Sequence, residues 1–160
     1  MTLWDKFLLG YCRLGVAGLA PKAPGTWGTA EACVLAPFIF LPLSLGWRLA
    51  FLGFLFVTGG LAATRAEEIL DQKDPGQVVI DELVGVWLVL TPFKSPDIWT
   101  IAAAFVFFRI FDITKPWPIK ASENWLPGGF GVMIDDVLAG VYALAATAAF
   151  CWLKNRYFIL

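Results

Sequence analysis

The chain has no histidine at all. That absence excludes lipid phosphatases with a histidine nucleophile, histidine-ligated zinc sites and histidine-based triads. Cysteine is scarce: Cys12, Cys33 and Cys151 form no CxxC pair, and none is followed six positions later by arginine. The loop of cysteine-dependent phosphatases is therefore excluded too, and the three thiols read as small buried hydrophobes. Charge is sparse as well, at 16% of residues with a net charge of −1. Neither nucleic-acid binding nor a polybasic anchor is expected from that balance. The opening apolar run is broken by Asp5, Lys6 and Arg13, so it does not read as a signal peptide. No internal repeat, low-complexity tract or linker divides the sequence, and residues 1–160 are expected to form a single membrane-embedded domain.

What is present is hydrocarbon. Apolar residues make up 59% of the chain and mean hydropathy is +0.71, against a usual apolar share of about 45–50%. The composition predicts an integral membrane protein. Charge-free runs cover Ala32–Trp47, Leu49–Thr64, Leu83–Phe93, Ile98–Phe108 and Val137–Leu153. The last would extend about 26 Å as a helix, close to a hydrocarbon core of about 30 Å, whereas the two central runs reach only about 16 Å. The expected fold is all-α: a polytopic membrane bundle of about five hydrophobic helices, two of them short. An interfacial amphipathic helix over Thr2–Ala20, rich in Trp4, Phe7, Leu8 and Tyr11, should precede it. With the first span running outward, one side collects Lys6, Arg13, Lys22, Arg65, Lys73, Arg109, Lys115 and Lys120. The other side collects only Arg48, Lys94, Lys154 and Arg156, so the first side is expected in the cytoplasm.

Four polar clusters lie on that side. In PKAPGTWGT, prolines 21 and 24 stiffen the approach and Gly25 and Gly28 let the backbone come close to a ligand. Lys22, Thr26 and Thr29 are candidate phosphate contacts ahead of a helix expected to start just after, although a rigid turn with a capping threonine explains the same residues. In DPGQVVIDELVG, Asp74 reads as an acidic helix start, but Asp81 and Glu82 follow residues that are already apolar. Two oxygen donors there suit a hard cation such as Mg²⁺. In FRIFDITKPWPI, Arg109, Asp112 and Lys115 fall along one face of a closing helical turn that Pro116 ends. Snorkelling bases with an internal salt bridge would look similar. In GGFGVMIDDVLAG, Asp135 and Asp136 open the last apolar run, with a helix expected to start near Asp135. Five acids at three helix ends on one membrane face make a catalytic or metal-binding cluster the better reading.

These four motifs, in this order, make the chain resemble the phosphatidylglycerophosphatase A family over about Leu14–Gly140. The resemblance implies Mg²⁺-dependent hydrolysis of phosphatidylglycerol phosphate to phosphatidylglycerol and inorganic phosphate, in the bacterial inner membrane with the site facing the cytoplasm. Its implied partners are the phospholipid substrate and the membrane; no protein partner is evident. The chemistry agrees: without histidine, a suitable cysteine or a DxDx[TV] motif, water activated by a metal ion is the favoured nucleophile. On this reading Asp81, Glu82, Asp135 and Asp136 are candidate metal ligands. Asp112 or Glu82 is the candidate general base, and Arg109 and Lys115 neutralise phosphoryl oxygens. A small transporter or a structural membrane subunit is the alternative; a transporter's acids would be expected along a path through the membrane.

Overall fold

Thr2 starts the first helix. Its hydroxyl accepts the Asp5 N–H at 3.1 Å, and the Asp5 carboxylate accepts the Thr2 N–H at 2.7 Å, a reciprocal cap. Helix α1 (Leu3–Cys12) is shorter than the expected Thr2–Ala20, because Leu14 and Gly15 both adopt left-handed backbone that breaks it. The computed structural model describes residues 1–157, whose regular elements are all helices. After a 3₁₀ turn at Ala17–Leu19 come α2 (Pro24–Ile39), α3 (Leu45–Leu70), α4 (Ile80–Leu90), α5 (Ile98–Thr114), α6 (Ile119–Ser122) and α7 (Gly129–Tyr157).

Three boundaries differ from the sequence expectation. Helix α2 begins at Pro24 and takes Gly25–Thr29 into its first turns, because Ala23 is left-handed and Pro24 occupies a first-turn position where no N–H is missed. The run Ala32–Trp47 is two elements: a turn over Phe40–Ser44 separates α2 from α3, and Trp47 belongs to α3. Helix α7 begins at Gly129, so Asp135 and Asp136 lie nearly two turns inside it. The Gly129 N–H is accepted by the Thr64 hydroxyl of α3 at 2.9 Å, which fixes that start.

Helices α3 and α7, with 26 and 29 residues, are long and apolar enough to cross a membrane. Only 39% and 28% of their apolar windows are buried within the protein. A soluble core helix would be mostly covered; here Leu49, Phe54, Val57, Leu61, Val141 and Leu153 stay exposed, as lipid contact requires. Helices α2 and α5 have 16 and 17 residues, and α4 only 11.

The short helices are closed at the end far from the four motifs by Arg48. Its buried guanidinium donates to the carbonyls of Leu41 (2.5 Å), Leu43 (3.0 Å), Thr91 (2.8 Å) and Phe93 (2.7 Å). These follow the last turns of α2 and α4, where carbonyls have no partner in their own helix. Beside it, Phe40 stacks on Trp87 at 4.9 Å, and the Trp87 indole donates to Ala32 O at 2.8 Å. At the same end Asp97 caps α5 by accepting the Thr100 N–H, and takes an ion pair from Lys154 of α7 at 2.6 Å.

Candidate active site

Two glycines decide where the acids meet. A Cβ on Gly140 of α7 would lie 2.6 Å from the Gly85 carbonyl of α4, and one on Gly85 would lie 2.9 Å from Asp136 O. The helices can touch at this level only because neither residue has a side chain. One turn away along each, α4 carries Asp81 and α7 carries Asp136. Together with Glu82 they form a buried triad whose nearest carboxylate oxygens all lie within 4.8 Å of one another. Three of the triad's buried oxygens, Asp81 Oδ1, Glu82 Oε2 and Asp136 Oδ2, have no hydrogen-bond partner. Buried carboxylate oxygens left unpaired are costly, and a hard cation with several oxygen ligands would satisfy them. The residues present therefore fit the expected metal. Asp81 and Glu82 sit in the first turn of α4, where the helix dipole favours negative charge.

Around the triad is a polar cavity of about 270 Å³, lined by Pro24 and Gly25 of α2, Asp74 and Gly76, Arg109 and Asp112 of α5, Lys115, and Val132 and Asp135 of α7. Arg109 Nη1 bridges Asp112 at 2.5 Å and Glu82 at 3.5 Å. Lys115 caps α5 in left-handed backbone, so its side chain turns back to Asp135 at 2.5 Å and Glu123 at 2.6 Å. Burial alone would lower the Lys115 pKa, but those two carboxylates outweigh it and hold the ammonium above the ordinary lysine range. The α2 backbone closes one wall: a Cβ on Gly25 would fall 2.0 Å from Glu82 Oε1.

Of the residues expected from sequence, Asp81, Glu82, Asp112, Asp135, Asp136, Arg109 and Lys115 all line this one cavity. Asp135 belongs to it through Lys115 and lies outside the triad. Lys22, Thr26 and Thr29 are not on its wall. Thr29 is fully buried with its hydroxyl donating to Gly25 O at 2.8 Å, Lys22 is exposed, and Thr26 is half-buried. Sequence reasoning missed two acids. Asp74 starts no helix: it sits in a left-handed turn at the cavity rim, its N–H accepted by Glu67 at 3.0 Å. Glu123 reaches Lys115 from a stretch without a recognisable motif. A proline-glycine pair directly after Asp74 was the available signal for a turn. Cys12 is buried, and burial pushes its thiol up to about 12, which leaves it inert as a nucleophile.

Comparison with known proteins gives the same chemistry a family. The profile described as phosphatidylglycerophosphatase A matches residues 11–151. A Haemophilus influenzae protein named phosphatidylglycerophosphatase A is 39% identical over 133 residues, covering 83% of this chain and 82% of its own. An Escherichia coli protein of the same name is 38% identical over 140 residues, 86% of this chain and 77% of its own. A Bacteroides thetaiotaomicron protein bearing the provisional name phosphatidylinositol-3-phosphatase is 43% identical over 141 residues, 85% of this chain and 88% of its own. No solved structure matches the chain. With the family profile spanning nearly the whole chain and all four of its polar motifs gathered at one cavity, the protein belongs to the phosphatidylglycerophosphatase A family of phosphoric monoester hydrolases.

Proposed function

We propose that the protein is a Mg²⁺-dependent phosphatidylglycerol phosphate phosphatase whose cavity faces the cytoplasm of a bacterial inner membrane. The observation that carries this reading is the buried Asp81–Glu82–Asp136 triad with its three unpartnered oxygens, set beside Arg109 and Lys115 in a chain of this family. Those three acids would hold the ion, which supplies Lewis acidity: it offsets phosphoryl charge and makes water a stronger nucleophile. Arg109 and Lys115 orient and neutralise the terminal phosphoryl group as charge builds on its oxygens. Asp135 aims Lys115, and Asp112, on the cavity wall outside the triad, accepts the proton of the attacking water. The oxygen of water bonds to phosphorus and the bond from phosphorus to the headgroup glycerol oxygen breaks. That oxygen takes a proton, and phosphatidylglycerol and inorganic phosphate leave. Acyl chains stay in the bilayer throughout, so only the headgroup must enter the cavity.

The relative whose name is that of a phosphatidylinositol-3-phosphatase favours one second reading, in which an inositol phosphate headgroup takes the place of glycerol phosphate. The test is phosphate release from each lipid by detergent-purified protein, with Mg²⁺ and then with excess EDTA. Release from phosphatidylglycerol phosphate that stops with EDTA and returns with Mg²⁺ is the expected result. Faster release from the inositol lipid would move the assignment to that substrate, and release unaffected by EDTA would remove the metal from it.

A further inference from the structure

The segment between α3 and α4 has no regular structure, yet it brings Asp74 to the cavity rim and delivers Asp81 and Glu82 to the triad. Segments of this kind hold one conformation only if something outside them fixes it. Its turn closes on itself through the Val78 N–H and Pro75 O, and Glu67 accepts the Asp74 N–H. Gly28 of α2 packs against Val79, and further ties come from the end of α1 and the turn after it. Cys12 O accepts the Val79 N–H at 2.8 Å, two residues before Asp81. Arg13 donates through Nη2 to the Gln77 side-chain oxygen. Gly18 lies so close to the same residue that a Cβ would fall 2.2 Å from Gln77 O. The Gln77 amide and the Arg13 guanidinium are 64 residues apart in sequence, and neither lines the cavity.

We propose that Arg13 is a positioning residue for the reaction: by holding Gln77 it sets the placement of Asp81 and Glu82 at the triad. This rests on the metal-site reading given above. A guanidinium suits the task because its donors form a rigid fork, and a ligand shift of about 1 Å can cost on the order of 100-fold in turnover. Arg13 acts only through Gln77, so the two residues form a unit, and removing both harms no more than removing either.

The test uses full-length protein in detergent, with Arg13→Ala, Gln77→Ala, the double variant and Arg13→Lys. Mn²⁺ binding is read from the loss of the free-ion electron paramagnetic resonance signal, alongside kcat and KM. Arg13→Ala and Gln77→Ala are each expected to weaken Mn²⁺ binding and to lower kcat by about tenfold or more, with KM little changed. The double variant should match the worse single one, and Arg13→Lys, which keeps a donor, should recover part of both losses. Wild-type Mn²⁺ affinity in Arg13→Ala, or losses that multiply in the double variant, would overturn the proposal. Gln77→Ala decides the matter if Arg13→Ala does not fold. A wild-type protein that binds Mn²⁺ but releases no phosphate from either lipid would instead overturn the functional reading, leaving Arg13 to be judged by Mn²⁺ binding.

Discussion

Residue by residue, the cavity separates groups that the sequence presents as equals. Asp135 and Asp136 are adjacent, but Asp136 joins the triad while Asp135 pairs with Lys115. Asp136→Asn is expected to abolish phosphate release, by more than 100-fold, and to weaken Mn²⁺ binding, with the thermal midpoint in detergent near or above wild type. A carboxylate removed from a like-charged cluster relieves repulsion. Asp135→Asn should keep Mn²⁺ binding and lose turnover, because Lys115 loses its aim. Identical Mn²⁺ affinities in the two variants would contradict the division. Lys22→Ala should leave kcat/KM within about twofold, as expected of an exposed charge that is not on the cavity wall. The seven acids and bases that do gather were legible because helix ends and apolar flanks mark them. Thr29 was not, because a hydroxyl satisfied by its own helix and one aimed at a ligand look alike in sequence.

Among the elements, close helix approach is what converts scattered motifs into one site. Gly140→Ala would put a methyl group against the Gly85 backbone, where no flexible side chain can give way. The expected outcome is loss of Mn²⁺ binding together with a stability loss of about 1–3 kcal/mol, the usual cost of overpacking. Retained affinity would mean that the α4–α7 crossing does not set the triad. At the opposite end, Asp97 is held down to about 2, chiefly by the hydrogen bond from Lys154 and then by those from Thr100. A folded pKa below the unfolded value of about 3.9 stabilises above that value and stops doing so as pH falls through about 2. The difference in thermal midpoint between wild type and Asp97→Asn should therefore be full near pH 6 and shrink as pH is lowered toward 2. Helix existence was readable from apolar runs, but their starts were not. Pro24 and Gly129 begin helices inside stretches that read as loops, because glycine and proline signal a break and a first turn equally well.

At the scale of the whole molecule, two helices are long and apolar enough to cross a membrane, and the motif-bearing segments collect at one end. The expected sidedness can be measured. With Cys151 changed to serine and the buried Cys12 and Cys33 retained, a cysteine introduced at Lys73 or Lys120 should resist an impermeant thiol reagent in intact cells and react after permeabilisation. One at Lys94 should react in both. Labelling of Lys73→Cys from outside would reverse the orientation. The all-helical, membrane-bound nature of the chain was legible from composition, since no soluble core could absorb so much hydrocarbon. The number of full crossings was not, because a short buried helix and a short spanning one share the same apolar run. Gly59 of α3 packs against Ile80 and Met133, so α4 starts level with the middle of α3 and not with its end. At the far end the four carbonyls that Arg48 collects follow the last turns of α2 and α4 and have no partner in their own helices. By gathering them, one guanidinium satisfies the closing turns of α2 and α4, which have 16 and 11 residues beside the longer α3 and α7. The helices are therefore uneven in length, α3 and α7 long and the half-exposed α2 short, with the still shorter α4 buried among them. A bilayer that thins beside the shorter α2 would carry its headgroups closer to the buried acids. Turnover in reconstituted vesicles should accordingly rise as the acyl chains of the host lipid are shortened.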